Sequence, residues 1–310
     1  MTPQRLPLFV ALALLVVTGA TLGCAPRMAR LPEPTDPAAA WAAMRRDSCA
    51  PPARPAMLAK GSLYYTRVLP ARRTNRTQFT MWGDFHGPMR LDVSAGIGTS
   101  LAHIREDGDG LTIFHPEQKT AYTHADPVLG ATRLGMPFPF SLAQLARVCA
   151  GDFAGLVPET YEQAEPGNNG FTYAVTHRLA HADGQAGTTD VRRIGLDRAG
   201  RPVLIEGTVA AAPDEGSAEA RQTGGPLRRF WRLEINTYEK VASRPPLPGR
   251  LTLAMDDGEA GVLRITAREF KVAPWPPRAT GLELPEGTRV YRLDGAAAPQ
   301  EPGTPATHED

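Results

Sequence analysis

Apolar and polar residues alternate with a period of two through most of this chain, and that pattern constrains its fold more than any other feature. Met89, Leu91, Val93 and Ala95 alternate with Arg90, Asp92 and Ser94. On a strand the first set faces one way and the second the other, which marks a half-buried antiparallel strand. Trp231, Leu233 and Ile235 alternate with Arg232, Glu234 and Asn236 in the same manner. Further strand patterns occupy residues 61–68, 74–82, 99–105, 111–114, 119–123, 171–178, 189–197, 202–209, 249–255, 262–272 and 288–293. Turn sequences such as Asp107-Gly108-Asp109-Gly110, Asp183-Gly184 and Asp256-Asp257-Gly258 separate neighbouring runs and suggest a meander of hairpins.

Helical spacing interrupts this pattern in three places. Asp36-Pro37 starts a helix over 37–47, with Asp as N-cap and Pro at the first helical position. The middle of the chain supplies two more, over 126–134 and 141–150. Ser141 caps the second of these and Gly151 ends it. Between them Met136-Pro137-Phe138-Pro139-Phe140 is apolar but cannot be helical through its prolines, so it reads as a loop packed on the core or as an apolar lip. The fold class that follows is α+β. Roughly a dozen strands form one large antiparallel sheet, which so many twisted strands would curl, with helices placed to cover its concave side. Residues 210–225 are small and polar and read as a mobile loop, and 296–310 as a disordered tail.

The amino terminus sets the compartment. Arg5 precedes an apolar run over 6–17 that is too short to span a bilayer, and small residues lead into Gly23-Cys24. This is a secretory signal peptide with a lipobox. Residues 1–23 would be removed and Cys24 would carry lipid, palmitate included. Thr21 and Leu22 depart from the usual lipobox residues, and an ordinary signal peptide is the other reading. Residues 24–55 then form a tether and the first helix, 56–295 the sheet domain, and 296–310 the tail. Cys49 and Cys149 are left as an even pair in an oxidising compartment. A disulfide between them would stabilise by about 4–5 kcal/mol through loop closure; two reduced, buried thiols are the alternative.

Composition and motifs narrow the function. With 34 basic and 33 acidic residues the formal net charge is +1, which gives no electrostatic case for nucleic acid. There is no Gly-x-Ser-x-Gly elbow, Walker A loop or dinucleotide fingerprint. His177 and His181 fall on a strand too far apart for an obvious metal site, and Asp84 and His86 read as hairpin residues. No catalytic residue, metal or cofactor is therefore expected. The aromatic side chains Phe79, Trp82, Tyr122, Phe171, Tyr173 and Trp231 must be buried in a packed core or around a cavity for an apolar ligand.

The order of these elements resembles a known family. Phe79 and Trp82 precede the alternating strand over 89–95, the Gly96-Ile97-Gly98 turn, the strand over 101–105, the 111–114 hairpin and Tyr122. A short helix, Leu134-Gly135-Met136-Pro137-Phe138-Pro139 and the helix ending at Gly151 follow. Later, 235–238, Leu247-Pro248-Gly249-Arg250-Leu251 and the strand through Phe270 look like closing strands. In this the chain resembles the LolB outer-membrane lipoprotein receptors and, more loosely, their periplasmic partner LolA. The resemblance implies an incomplete, strongly curved antiparallel barrel whose helices lie over a hydrophobic cavity. Its lining would include Phe79, Met81, Trp82, Met89, Leu91, Val93, Leu142, Leu145, Trp231 and Leu233. It also implies a monomeric lipid-binding chaperone that is not an enzyme. Such a protein sits lipid-anchored at the outer membrane, facing the periplasm, takes lipoproteins by their acyl chains from a LolA-like carrier, and inserts them. Ile97, between Gly96 and Gly98, would be the exposed membrane-insertion residue. The absence of Asp at position 25 favours the outer membrane. The other expectation is an envelope lipoprotein of the same fold that binds another lipid or serves envelope assembly.

Overall fold

A computed structural model of the chain describes residues 36–294 except 69–70, 97, 135, 137, 168, 181–185, 211–227 and 242–244. Cys24, Ile97, His181, residues 211–225 of the long loop and the 296–310 tail thus lie outside the described residues.

The alternating runs become strands of a single sheet. β1 (Ala56–Arg67), β2 (Arg73–Asp84), β3 (Met89–Ala95), β4 (Thr99–Asp107), β5 (Gly110–His115) and β6 (Thr120–His124) form a first meander. β7 (Gln163–Gly167), β8 (Gly170–Ala180), β9 (Ala186–Asp197), β10 (Pro202–Ala210), β11 (Arg228–Glu239), β12 (Leu247–Met255) and β13 (Ala260–Lys271) form a second. The two are joined where β1 pairs antiparallel with β13, from Ala56 opposite Lys271 to Thr66 opposite Ala260. A last strand, β14 (Arg289–Arg292), adds beside β6, and the order is β14-β6-β5-β4-β3-β2-β1-β13-β12-β11-β10-β9-β8-β7. The sheet is curved and its outer strands do not meet, so it is an unclosed barrel with α+β character, as the alternation predicts.

Two details correct the expectation. The sheet is mixed rather than wholly antiparallel, because β14 runs parallel to β6. It can do so because residues 272–288 cross the convex face as a strap carrying the short helix α4 (Pro277–Thr280), the last of four helices among the described residues. The Trp82 indole N–H donates to the Ala279 carbonyl at 2.8 Å, Arg105 donates to Thr280 O at 3.1 Å, and Asp84 accepts from the Trp275 amide at 2.9 Å. The other detail is β7, which alternation does not mark. It is a mostly exposed edge strand containing Pro166, a residue confined to sheet edges because it lacks a donor.

The remaining helices follow their caps. α1 (Pro37–Ser48) begins where Asp36 accepts from Ala39 N at 2.7 Å, and it buries Ala40, Trp41 and Met44. Trp41 packs 4.8 Å from Tyr173, whose hydroxyl donates to Pro37 O at 2.7 Å, so α1 closes the β7–β8 end. α2 (Pro127–Arg133) and α3 (Leu142–Cys149) lie between the meanders, α3 opening with a capping box of Ser141 and Gln144.

The two faces of the sheet differ in kind. Inward residues such as Met57, Met81, Ile113, Ile194, Ile205 and Leu233 form one apolar core. On the outward face, arginines are matched to buried carboxylates. Asp190 takes Arg178 at 2.8 Å, Arg228 at 2.8 Å and Arg192 at 3.4 Å, while Glu206 takes Arg193 and Arg232, both at 3.3 Å. Burial works against the charge of Asp190, but the Arg178 hydrogen bond and the three arginine charges outweigh it and hold its carboxyl below the ordinary value. A depressed folded-state pKa contributes stability above the unfolded value of about 3.9 that is lost as pH falls through the folded one. Asp190→Asn should therefore lower the denaturant midpoint at neutral pH, and the gap from the native protein should close in acid. A gap that stays constant into strong acid would refute this assignment.

Cys49 and Cys149 do not form the expected bridge; both are free and buried. Cys49 has its Sγ 3.5 Å from Met44 Sδ. Burial raises the Cys49 thiol to about 11 and the Cys149 thiol to about 12, so both stay protonated at neutral pH.

Candidate functional site

The concave side of the sheet is not packed solid. Beneath the α2–α3 connection lies a cavity of about 540 Å³. Its walls come from alternate positions of seven strands: Leu63 of β1, Leu91 and Val93 of β3, Ala102 and Ile104 of β4, Leu233 of β11, Leu251 and Leu253 of β12, and Leu263 of β13, with Thr77 of β2 among them. Its cover is Met136, Phe138 and Phe140 of the connection together with Leu145 of α3. At one end Tyr65, Asn75 and Arg76 form the rim, where Asn75 and Arg76 are exposed. An apolar space of this size, whose wall hydroxyl on Thr77 donates to the Leu63 carbonyl and whose other polar side chains lie at the rim, suits the hydrocarbon part of a ligand.

The cover is held to both meanders. On the first, buried Glu106 of β4 accepts from the Leu142 amide at 2.7 Å and the Ala143 amide at 3.3 Å, so its carboxyl group meets the N–H donors at the start of α3. Burial pushes this carboxyl above its ordinary value, opposed by those two N–H donors. On the second, Thr189 donates to the Pro139 carbonyl and Phe140 stands edge-on to Trp231 at 6.1 Å. Met136, Phe138 and Phe140 thus form a lid over the space, anchored on either side.

Of the residues expected to line a cavity, Leu91, Val93, Leu145 and Leu233 do so. Phe79, Met81, Met89, Leu142 and Trp231 belong to the same apolar core but are packed away from the open space. Trp82 is turned to the convex face, because it falls on the opposite parity from Phe79 and Met81 and bonds the strap there. Missed positions include Leu63, Ala102, Ile104, Leu251, Leu253 and Leu263; all fall on inward parities of their strands, so alternation could have found them. Around the turn after β3, Gly96 and Gly98 adopt φ of 60° and 89°, and a Cβ on either would meet nothing within 4 Å. Left-handed backbone at two positions around one residue makes a tight, open turn that suits glycine.

Polar clusters lie elsewhere. Ser100 Oγ is 3.0 Å from Nε2 of His103, whose Nδ1 is 2.9 Å from Asp92. This array needed a β-bulge between β3 and β4 to form and was not visible in the sequence. It sits on the convex face, away from the cavity, and Asp92 is also held by Arg90 at 2.9 Å. Asp84 serves the strap, and His177 faces the Gly155 carbonyl at 3.4 Å. Among the described residues no group of three or more His, Cys, Asp or Glu could hold a metal ion, and no helix is long and apolar enough to cross a membrane.

No protein-family model matches the sequence, and no curated protein does. Solved structures do match. A LolA superfamily protein from Nitrosomonas europaea is similar with a TM-score of 0.51 at 10% identity, over 79% of this chain and 97% of that one. A domain described as an outer membrane lipoprotein-sorting protein, from Vibrio parahaemolyticus, has a TM-score of 0.44 at 12% identity, covering 77% and 93%. A DUF1329 family protein from Desulfovibrio piger has 0.46 at 8%, covering 74% and 90%. At these identities the likeness concerns architecture, and of the three the first carries it: the curved sheet with helices over its concave side is a fold that this chain shares with that LolA superfamily protein.

Proposed function

We propose that this protein is a lipid-anchored envelope protein that holds the acyl chains of lipoproteins in the cavity beneath its lid and helps to insert them into the outer membrane. The observation that supports this reading best is the cavity itself, about 540 Å³ in volume, walled by aliphatic side chains and covered by a segment fixed to both meanders. Filling it with a hydrocarbon chain removes apolar surface from water at about 25 cal/mol per Å², with no covalent chemistry needed. Cys24 would carry the anchor, and Ile97 would be the side chain presented to the bilayer from the turn between Gly96 and Gly98. A LolA-like carrier would supply the cargo.

A triacylated lipopeptide should displace an environment-sensitive apolar fluorophore from the native protein in a saturable manner, and the loaded protein should pass the lipopeptide to phospholipid vesicles. Ile97→Glu should keep the displacement and lose the transfer. Absence of displacement would sink the acyl-chain reading, and normal transfer by the variant would remove Ile97 from the mechanism. A second reading, storage or carriage of another envelope lipid in the same cavity, is favoured if depletion of the protein leaves outer-membrane lipoproteins correctly placed.

A further inference from the structure

The β1–β2 ladder changes character along its length. On the concave side its directly opposed pairs run from Ala59 with Met81, through Gly61 with Phe79 and Leu63 with Thr77, to Tyr65 with Asn75 and finally Arg67 with Arg73. Leu63, Thr77, Tyr65 and Asn75 border the cavity, so the arginine pair is the next rung beyond its rim. Both arginines are exposed, as is adjacent Arg72. Like charges directly opposed across two strands destabilise the pair. Elsewhere in the sheet many arginines are matched to carboxylates, as at Asp190 and Glu206. Of the other directly opposed arginine pairs, Arg90 with Arg105 is matched to Asp92 and Asp107, and Arg250 with Arg264 lies on the outward parity away from the cavity. Even the acidic turn between β12 and β13 is taken up by Arg229, which approaches Asp256, Asp257 and Glu259. Among the described residues Arg67, Arg72 and Arg73 have no carboxylate within ion-pair distance.

An uncompensated cationic pair beside an apolar enclosure matches one kind of molecule in outline. We propose that Arg67 and Arg73 form a headgroup site for an anionic amphiphile, binding its phosphate while its acyl chain occupies the cavity. Two guanidinium forks can each offer paired N–H donors to phosphate oxygens, and the anion would relieve the repulsion that the empty pair carries. This site rests on the reading of the cavity as an acyl-chain site and adds the class of head that it selects.

The test compares two ligands with the same chain, palmitoyl lysophosphatidic acid and monopalmitoylglycerol, on the full mature protein and on R67Q/R73Q. The native protein should prefer the phosphorylated ligand by about tenfold, a preference that narrows as salt is raised. In the double variant the preference should vanish while affinity for the neutral ligand stays the same, and the variant should melt no lower than the native protein. Equal native affinities, or a preference that survives in the variant, would overturn the headgroup site while leaving the acyl-chain cavity intact. Inorganic phosphate that competes as well as the amphiphile would make this a free-anion site and also overturn it. So would a variant that keeps its ligand preference but loses association with phosphatidylglycerol vesicles, because the arginines would then face the membrane. If neither ligand binds, the acyl-chain reading itself falls, and the headgroup site with it.

Discussion

Gly261→Trp should reduce binding of a palmitoyl ligand by more than tenfold while leaving the fold in place. Gly261 lies on β13, in register with Tyr65 on one side and Leu253 on the other, and it borders the cavity. A Cβ at this position would meet only Leu63 Cδ1, at 3.9 Å, which is ordinary van der Waals contact. The backbone is not in the left-handed region, so an L side chain adds no strain. An indole placed there would fill space that a ligand needs, and a β-favouring side chain in place of glycine should not weaken the strand. Titration with the fluorescent apolar probe, alongside a thermal melt, measures both halves of the expectation. Native affinity in a folded variant would place the ligand outside this cavity.

The largest loss of stability should come from Trp231→Ala, about 3–5 kcal/mol. Trp231 is completely buried at the middle of the second meander, opposite Gly207 on one side and Met255 on the other. Its ring occupies the place of the side chain that Gly207 lacks: a Cβ there would lie 2.9 Å from Trp231 Cζ2 and 1.9 Å from the Asp190 carbonyl oxygen. Removing the indole would leave a void that Gly207 has no atoms to fill, and would unseat Phe140 of the lid. Trp231→Phe should cost far less, because the indole N–H has no hydrogen-bond partner among the described residues and an aromatic ring remains. Chemical denaturation followed by circular dichroism tests the pair; equal midpoints for the two variants would show that ring volume is not what matters.

Side-chain parity made much of this architecture legible. Leu91, Val93 and Leu233 could be assigned to the concave face from alternation alone, and Ser141 and Gly151 delimited α3. Parity also marked Trp82 as outward, against the cavity-lining place that the resemblance implied for it. What alternation could not give was the difference between an inward residue that packs and one that borders empty space. Phe79 and Leu91 point the same way on neighbouring strands, yet only Leu91 reaches the cavity, because the distinction depends on where the α2–α3 segment comes to rest. Pairing that is distant in sequence was equally hidden. Nothing in residues 289–292 says that they lie beside β6, and an even count of cysteines carries no information on whether Cys49 and Cys149 meet.

The β1–β13 seam has a bearing on how the molecule comes into being. β1 is synthesised long before β13, yet this neighbour ends at Lys271, near the last of the described residues. Until that neighbour arrives, β1 presents a twelve-residue row of unpaired backbone groups next to the apolar face of the first meander, the kind of edge that recruits other chains. Contacts so remote in sequence also slow the final closure of the sheet. Molecules whose later strands have not yet formed should therefore depend on protection from their own kind at this stage.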